Sequence, residues 1–290
     1  MNWLTDIKLP IGPWAKAAVN WLTTHGKDLF DLLKVVMQSG IDAILLLLQG
    51  PFSSGQGQFA YALALIVLIT ALCWYLRRSV GVALFTFVGL LLIVNQGYWK
   101  ETTETLALVL AATGVSMLVG VPLGIAAARR AWFYAFLRPV LDLMQTIPTF
   151  VYLIPALILF GLGMVPGLIA TVIFAIPAPI RLTRLGIIST PPALVEAAQA
   201  FGATPSQVLR KVELPFARPQ IMAGLTQTIM LSLSMVVIAA LVGAKGLGVP
   251  VVRALNTVNI SMGFEAGLCI VILAIILDRL FRTSDEGEGA

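Results

Sequence analysis

The stretch EAAQAFGATPSQVLRKVELP (Glu196–Pro215) interrupts a chain that is otherwise apolar. Long apolar runs flank it, yet within it Glu196, Arg210, Lys211 and Glu213 stand close together. Across the 290 residues 59% are apolar and 11% are charged. A soluble domain carries roughly a quarter charged residues. Such a composition cannot coat a water-facing surface, so the chain reads as an all-α integral membrane protein. The polar stretch is then a segment held in water between spans.

A helix crosses a bilayer in about 20 apolar residues. Seven windows approach that length: Phe59–Leu76, Val80–Asn95, Thr102–Ala128, Val140–Phe160, Val165–Ile180, Ile221–Val242 and Gly263–Leu277. Threading them alternately puts Arg77, Arg78, Arg129, Arg130, Arg138, Arg181, Arg184, Arg210, Lys211, Arg218, Arg279 and Arg282 on one side. Only Lys100, Lys245 and Arg253 fall on the other. Lys and Arg accumulate in cytoplasmic loops, so the polar stretch and the C-terminus face the cytoplasm. Seven crossings then leave the N-terminus outside. The formal net charge of +5 belongs to these loops and does not call for nucleic acid.

Upstream of the spans, residues 1–57 form a separate region. Asp31, Lys34, Gln38, Asp42 and Gln49 recur at helical spacing, with Val35, Val36, Ile41, Ile44, Leu45 and Leu48 supplying an apolar side. This predicts an amphipathic helix on the membrane surface or packed on the bundle. An eighth span is the competing reading. It would place Asp31, Lys34 and Asp42 in or near hydrocarbon, at a few kcal/mol each. Met1–Pro10 has no apolar run of the kind a cleavable signal needs. The expected organisation is therefore 1–57, a transmembrane domain at 58–280 with a cytoplasmic loop at 181–216, and a tail at 281–290.

The spans exclude several mechanisms. Glu104 and Glu265 sit near outer ends, while Asp142, close to Arg138, and Asp278 sit near inner ends. The single histidine, His25, lies in the N-terminal region. A proton relay lacks its mid-membrane groups, although a sodium site made of backbone carbonyls at broken helices stays open. No G-x-x-x-x-G-K-[ST] phosphate loop occurs, and GAKGLG (Gly243–Gly248) reads as a turn after a span. No catalytic set can be assembled. Cys73 and Cys269 lie in apolar runs as buried thiols, without metal or disulfide spacing. The chain holds no cofactor or metal of its own, so any energy must come from a partner.

Proline marks the middle of the chain, at Pro148, Pro155, Pro166, Pro177 and Pro179. Each kinks a helix by removing a donor. Two readings remain open, packing kinks or helices that line a pathway. In the second, Pro148, Phe150, Tyr152 and Pro155 are the candidate lining residues.

Within the polar loop, STPP (Ser189–Pro192) predicts a helix start, and Gly202 ends that helix in the left-handed conformation. Thr204 caps a second helix, with Pro205 in its first turn and Gln207 completing a capping box. That helix is expected to reach Glu213, and Pro215 to break the chain before the next span. Ala193, Ala197, Ala198, Ala200 and Ala203 leave a smooth surface that another protein can approach closely. A plain solvated loop fits the same residues.

The spacing Glu196-Ala197-Ala198, Gly202, Val212, Leu214 and Pro215 resembles the EAA motif of permease subunits in bacterial ABC importers. It departs from the pattern only in Val212, where the family has isoleucine. LDLMQTIPTFVYLIPA (Leu141–Ala156), VPGLIATVIFAIPAPIRLT (Val165–Thr183) and MLSLSMVVIAALVGAKGLG (Met230–Gly248) are similar to permeases for glycine betaine, choline, carnitine and related quaternary ammonium compounds. The likeness covers roughly Tyr98 to Leu280. It implies a type I importer permease fold of about seven transmembrane helices in the bacterial inner membrane. It further implies a permease homodimer, two cytoplasmic ATPase subunits that bind ATP and Mg, and an extracytoplasmic substrate-binding protein. In such a family Glu196, Ala197, Ala198 and Gly202 form the helix that docks on the ATPase.

Overall fold

The computed structural model describes residues 10–50 and 56–281. Asp6, Lys8, Arg282 and the tail beyond Phe281 lie outside the described residues. The described residues are almost all helical, with no strand among them.

Two helices come first, α1 (Ile11–His25) and α2 (Lys27–Gln49). Helix α2 is not among the helices long and apolar enough to cross a membrane, and it packs along the bundle. Ile41 and Leu48 are buried there, among Leu65, Leu108 and Leu168. The polar stripe is used too, since Gln49 Nε2 donates to Thr103 Oγ1 at 2.9 Å. Of the positions left open by the sequence, α2 takes the one against the bundle.

Next come α3 (Gln56–Arg77), α4 (Val80–Asn95) and α5 (Trp99–Arg129). They are followed by α6 (Ala131–Thr146), α7 (Thr149–Phe160), α8 (Met164–Ala175) and α9 (Pro177–Ile188). Five helical segments are long and apolar enough to cross a membrane. The bent pair α6–α7 and the 16-residue α4 complete the seven apolar segments expected.

Three expectations about these segments need correction. The window Val140–Phe160 is not one rod. It bends by 96° where Ile147 and Pro148 take extended backbone. Residues before proline are driven out of the helical region, which is why the break falls there. The fifth window does not end at Ile180. Met164–Ile188 runs as a 25-residue span through Pro177 and Pro179. Both prolines stand in the first turn of α9, where a missing N–H is tolerated. Residues 181–188 therefore belong to a span and not to the loop.

The third correction concerns Pro215. Helix α11 (Pro205–Val208), a π-helical turn (Leu209–Glu213) and α12 (Leu214–Ala240) form a 36-residue helix. A widened turn just before the proline leaves room for its ring and its missing donor, so the chain passes on unbroken. Two helices close the described fold, α13 (Gly248–Thr257) and α14 (Ile260–Phe281).

The centre of the fold is α9, wedged between α5 and α12. Small residues make this possible. A Cβ at Gly120 would stand 2.7 Å from Pro179, and one at Gly124 would stand 2.7 Å from Thr183 and 2.8 Å from the Ile180 carbonyl. On the other side, a Cβ at Gly186 would meet Ala217 at 2.9 Å. Helices in lipid gain most of their association from this kind of close backbone approach. Because α9 feeds directly into the polar loop, the loop is rooted in a closely packed helix at the centre of the bundle.

Candidate functional site: the helix at the end of the bundle

Helix α10 (Pro192–Ala200) stands between α9 and α11 and buries none of its residues. Its start differs from the expected one. Pro191 is the N-cap and no hydroxyl caps the helix. Ser189 instead donates back to the Leu185 carbonyl at 2.7 Å, which satisfies the end of α9.

Its finish follows from local sequence. Gly202 has φ +79, and its N–H donates to the Gln199 carbonyl at 2.8 Å. The Ala203 N–H donates to the Ala198 carbonyl at 3.0 Å. These two bonds satisfy carbonyls that a helix end leaves free. Two residues on, the expected capping box is present. Thr204 Oγ1 accepts from the Gln207 N–H and the Thr204 N–H donates to Gln207 Oε1 at 2.7 Å. The loop is thus held by its own caps rather than by burial.

The two faces of α10 do different things. Leu194, Ala197 and Phe201 share helical spacing and point to solvent, with Phe201 93% exposed. Val195, Glu196 and Gln199 line a cleft of about 860 Å³ between α10 and the bundle. The cleft is closed by Ala128 and Arg129 from α5, by Thr190, and by Val208 and Glu213. Ala198, Val212 and Leu214 are half-buried, while Pro215 is exposed. The motif residues therefore come together at one end of the bundle, with Glu196 exposed at the cleft and Phe201 in the outermost place.

Charge ties this end to the spans. Arg129 Nη2, at the last turn of α5, donates to the Pro205 carbonyl at 2.7 Å and reaches Glu213 Oε2 at 3.4 Å. Arg181 of α9 pairs with Asp142 of α6 at 2.6 Å and donates to Gln145 Oε1 at 2.8 Å. Asp142 lies farther from Arg138, its expected neighbour, at 4.0 Å. Arg184 stacks over the Tyr134 ring at 3.5 Å, a cation–π contact. The break between α6 and α7 has its own support. Tyr152 is buried, and its hydroxyl donates to the carbonyls of Met144 and of Ile147, the latter at 2.7 Å. Pro148 and Phe150 are exposed beside it and Pro155 is half-buried inside α7.

Residues 120–287, more than half of the chain, match the family of binding-protein-dependent transport system inner membrane components. The chain belongs to that family. Its members are transport subunits rather than enzymes, and they work with an ATPase and a substrate-binding protein. This member is an inner-membrane permease with several spanning helices. It is 44% identical over 273 residues to the glycine betaine transport system permease protein OpuAB of Bacillus subtilis, covering 94% of this chain and 93% of that one. It is 44% identical to the glycine betaine/carnitine transport permease protein GbuB of Listeria monocytogenes, covering 96% of each. It is 42% identical to the glycine betaine/proline betaine permease ProW of Escherichia coli, covering 94% of this chain and 74% of that one. Among solved structures, an inward-facing MetNI methionine ABC transporter matches 64% of this chain and 91% of its own, with TM-score 0.57 and 24% identity. That likeness concerns the fold.

Proposed function

We propose that this permease carries glycine betaine-class quaternary ammonium osmolytes into the cytoplasm, driven by ATP hydrolysis on a separate subunit. The carrying observation is the unburied helix α10, set at the end of a closely packed central helix of the bundle. Likeness to glycine betaine permeases over nearly the whole chain supports the cargo.

The mechanism follows from the connections. Two copies of the permease face two ATPase subunits, which bind ATP and Mg. The binding protein delivers solute on the outer side, where the N-terminus lies, and the C-terminus lies in the cytoplasm. Closure of the ATPase pair moves α10 through Leu194, Ala197 and Phe201. Arg129, bonded to the Pro205 carbonyl, passes that motion to α5, and the continuous helix from Pro205 passes it to α12. The small-residue contacts oblige α9 to move with both. A ligand drives such a change only by contacting the two states differently, and ATP does so through the subunit it closes. Pro148 and Phe150, exposed at the bend, are assigned to the pathway. Tyr152 and Pro155 shape the bend that presents them.

The test is uptake by the reconstituted complex. Glu196→Lys or Gly202→Asp is expected to leave the permease inserted, to weaken copurification of the ATPase and to stop glycine betaine uptake. Normal copurification with normal uptake in both variants removes the assignment.

A further inference from the structure

A second cleft opens at the opposite end of α5, about 290 Å³ in volume. The 31 residues of α5 separate it from Arg129 by roughly 46 Å. On the orientation argued above, it faces outward. Its floor holds Glu101 and Glu104, with Tyr98 beside them, and its rim holds Lys100, Lys245 and Arg253.

The floor holds two carboxylates, one of which has a buried oxygen without a partner. Glu104 is 7% exposed. Glu101 Oε2 is shielded from solvent and has no hydrogen-bond donor among the described residues. The salt bridges of the described residues lie elsewhere, at Glu213 and Asp142. Meanwhile Lys100, Lys245 and Arg253 are all exposed. Leaving a buried carboxylate unpaired is costly, so such a group points to a cation that is not part of this chain.

We propose that this cleft binds a small zwitterion bearing a quaternary ammonium group and a carboxylate. The proposal rests on the functional reading above for the identity of the solute. The ammonium sits on the two carboxylates and against the Tyr98 ring, where a quaternary cation is held by charge and by the ring face without needing a hydrogen bond. The carboxylate sits at the rim, against Arg253 and the two lysines. A lone cation meets three positive side chains on the way in, and a lone anion meets two carboxylates at the bottom. Only a molecule with both charges satisfies floor and rim together. The volume is at the small end of ligand pockets, about 300–1,000 Å³, and admits a solute of amino-acid size. A metal ion fits less well, because no group of three or more Asp, Glu, His or Cys occurs among the described residues.

The test uses the permease–ATPase complex in nanodiscs without binding protein. Val249 lines the cleft, and Val249→Cys provides a thiol for a charged methanethiosulfonate reagent. Glycine betaine at about ten times its Kd is expected to slow labelling about tenfold. Choline, which has the ammonium alone, and acetate, which has the carboxylate alone, are expected to give no protection at that concentration. Glu104→Gln is expected to abolish protection by glycine betaine. Arg253→Ala, at an exposed position, is expected to do the same and keeps the test valid if Glu104→Gln fails to fold. Equal protection by choline, or no protection at all, overturns the proposal. ATP-driven glycine betaine uptake by the unmodified complex with its binding protein is measured in parallel. Normal uptake without protection refutes the site alone, and absent uptake refutes the transport reading.

Discussion

Phe201 offers the sharpest perturbation, because it is large, apolar and 93% exposed at the tip of a helix that buries nothing. In the isolated permease its side chain contributes no burial, so Phe201→Ala is expected to leave thermal stability unchanged within about 0.5 kcal/mol. In the assembled importer the ring is expected to be covered by the ATPase. Fully burying a phenylalanine stabilises by about 1.5–3 kcal/mol, and aromatic anchors at interface centres fall in this range or above it. A central value of about 2 kcal/mol corresponds to roughly a thirtyfold weaker Kd at each docking site. The assay is titration of purified ATPase onto the permease in nanodiscs, with Phe201→Leu as the conservative partner. Phe201→Leu is expected to retain most of the affinity, since it keeps the apolar contact. An unchanged Kd in Phe201→Ala, with the protein folded, refutes the assignment of the outward face of α10 to the ATPase.

Two further predictions concern the connections behind that face. Arg129→Ala removes a charged donor to the Pro205 carbonyl and a 3.4 Å ion pair with Glu213. With the arginine side chain 36% exposed, the combined loss is about 1–2 kcal/mol; uptake is expected to fall about tenfold at unchanged ATPase binding, and a double-mutant cycle with Glu213→Gln reads the ion-pair share. Gly124→Ala drives a methyl to 2.7 Å from Thr183 and 2.8 Å from the Ile180 carbonyl. Overpacking of this kind costs about 1–3 kcal/mol, so a lower melting temperature in detergent is expected, whereas Gly114→Ala, with open space around it, is expected to melt like the parent.

Features set by short-range chemistry were legible in the sequence. The Thr204–Gln207 capping box and the Gly202 helix end depend on neighbours within a few residues, and both stand where the sequence placed them. Breakers were less legible because proline has several outcomes. Pro148 ends a helix and turns the chain by 96°. Pro215 does not end one, because the π turn before it absorbs the ring. The side-chain ties were not legible. Arg129 and Glu213 are 84 residues apart, and Asp142 and Arg181 are 39 apart; nothing local couples them. One signal was present and unread, the Gly120-x-x-x-Gly124 spacing on α5, which marks close helix approach in membranes. Phe201 carried a signal too, as a large apolar residue beside a predicted turn in a cytoplasmic loop.

The unbroken helix from Pro205 to Ala240 has a mechanical consequence. At about 1.5 Å per residue its 36 residues span roughly 54 Å, far more than the thickness of the apolar layer. On the orientation proposed above it acts as a lever, with Pro205–Glu213 as the short arm in the cytoplasm and α12 as the long arm in the bilayer. A tilt of about ten degrees about Leu214 swings the 27 residues of α12, roughly 40 Å long, through about 7 Å at the far end. A displacement small enough to be produced by two protein subunits closing on a nucleotide is thereby magnified to the width of a small solute.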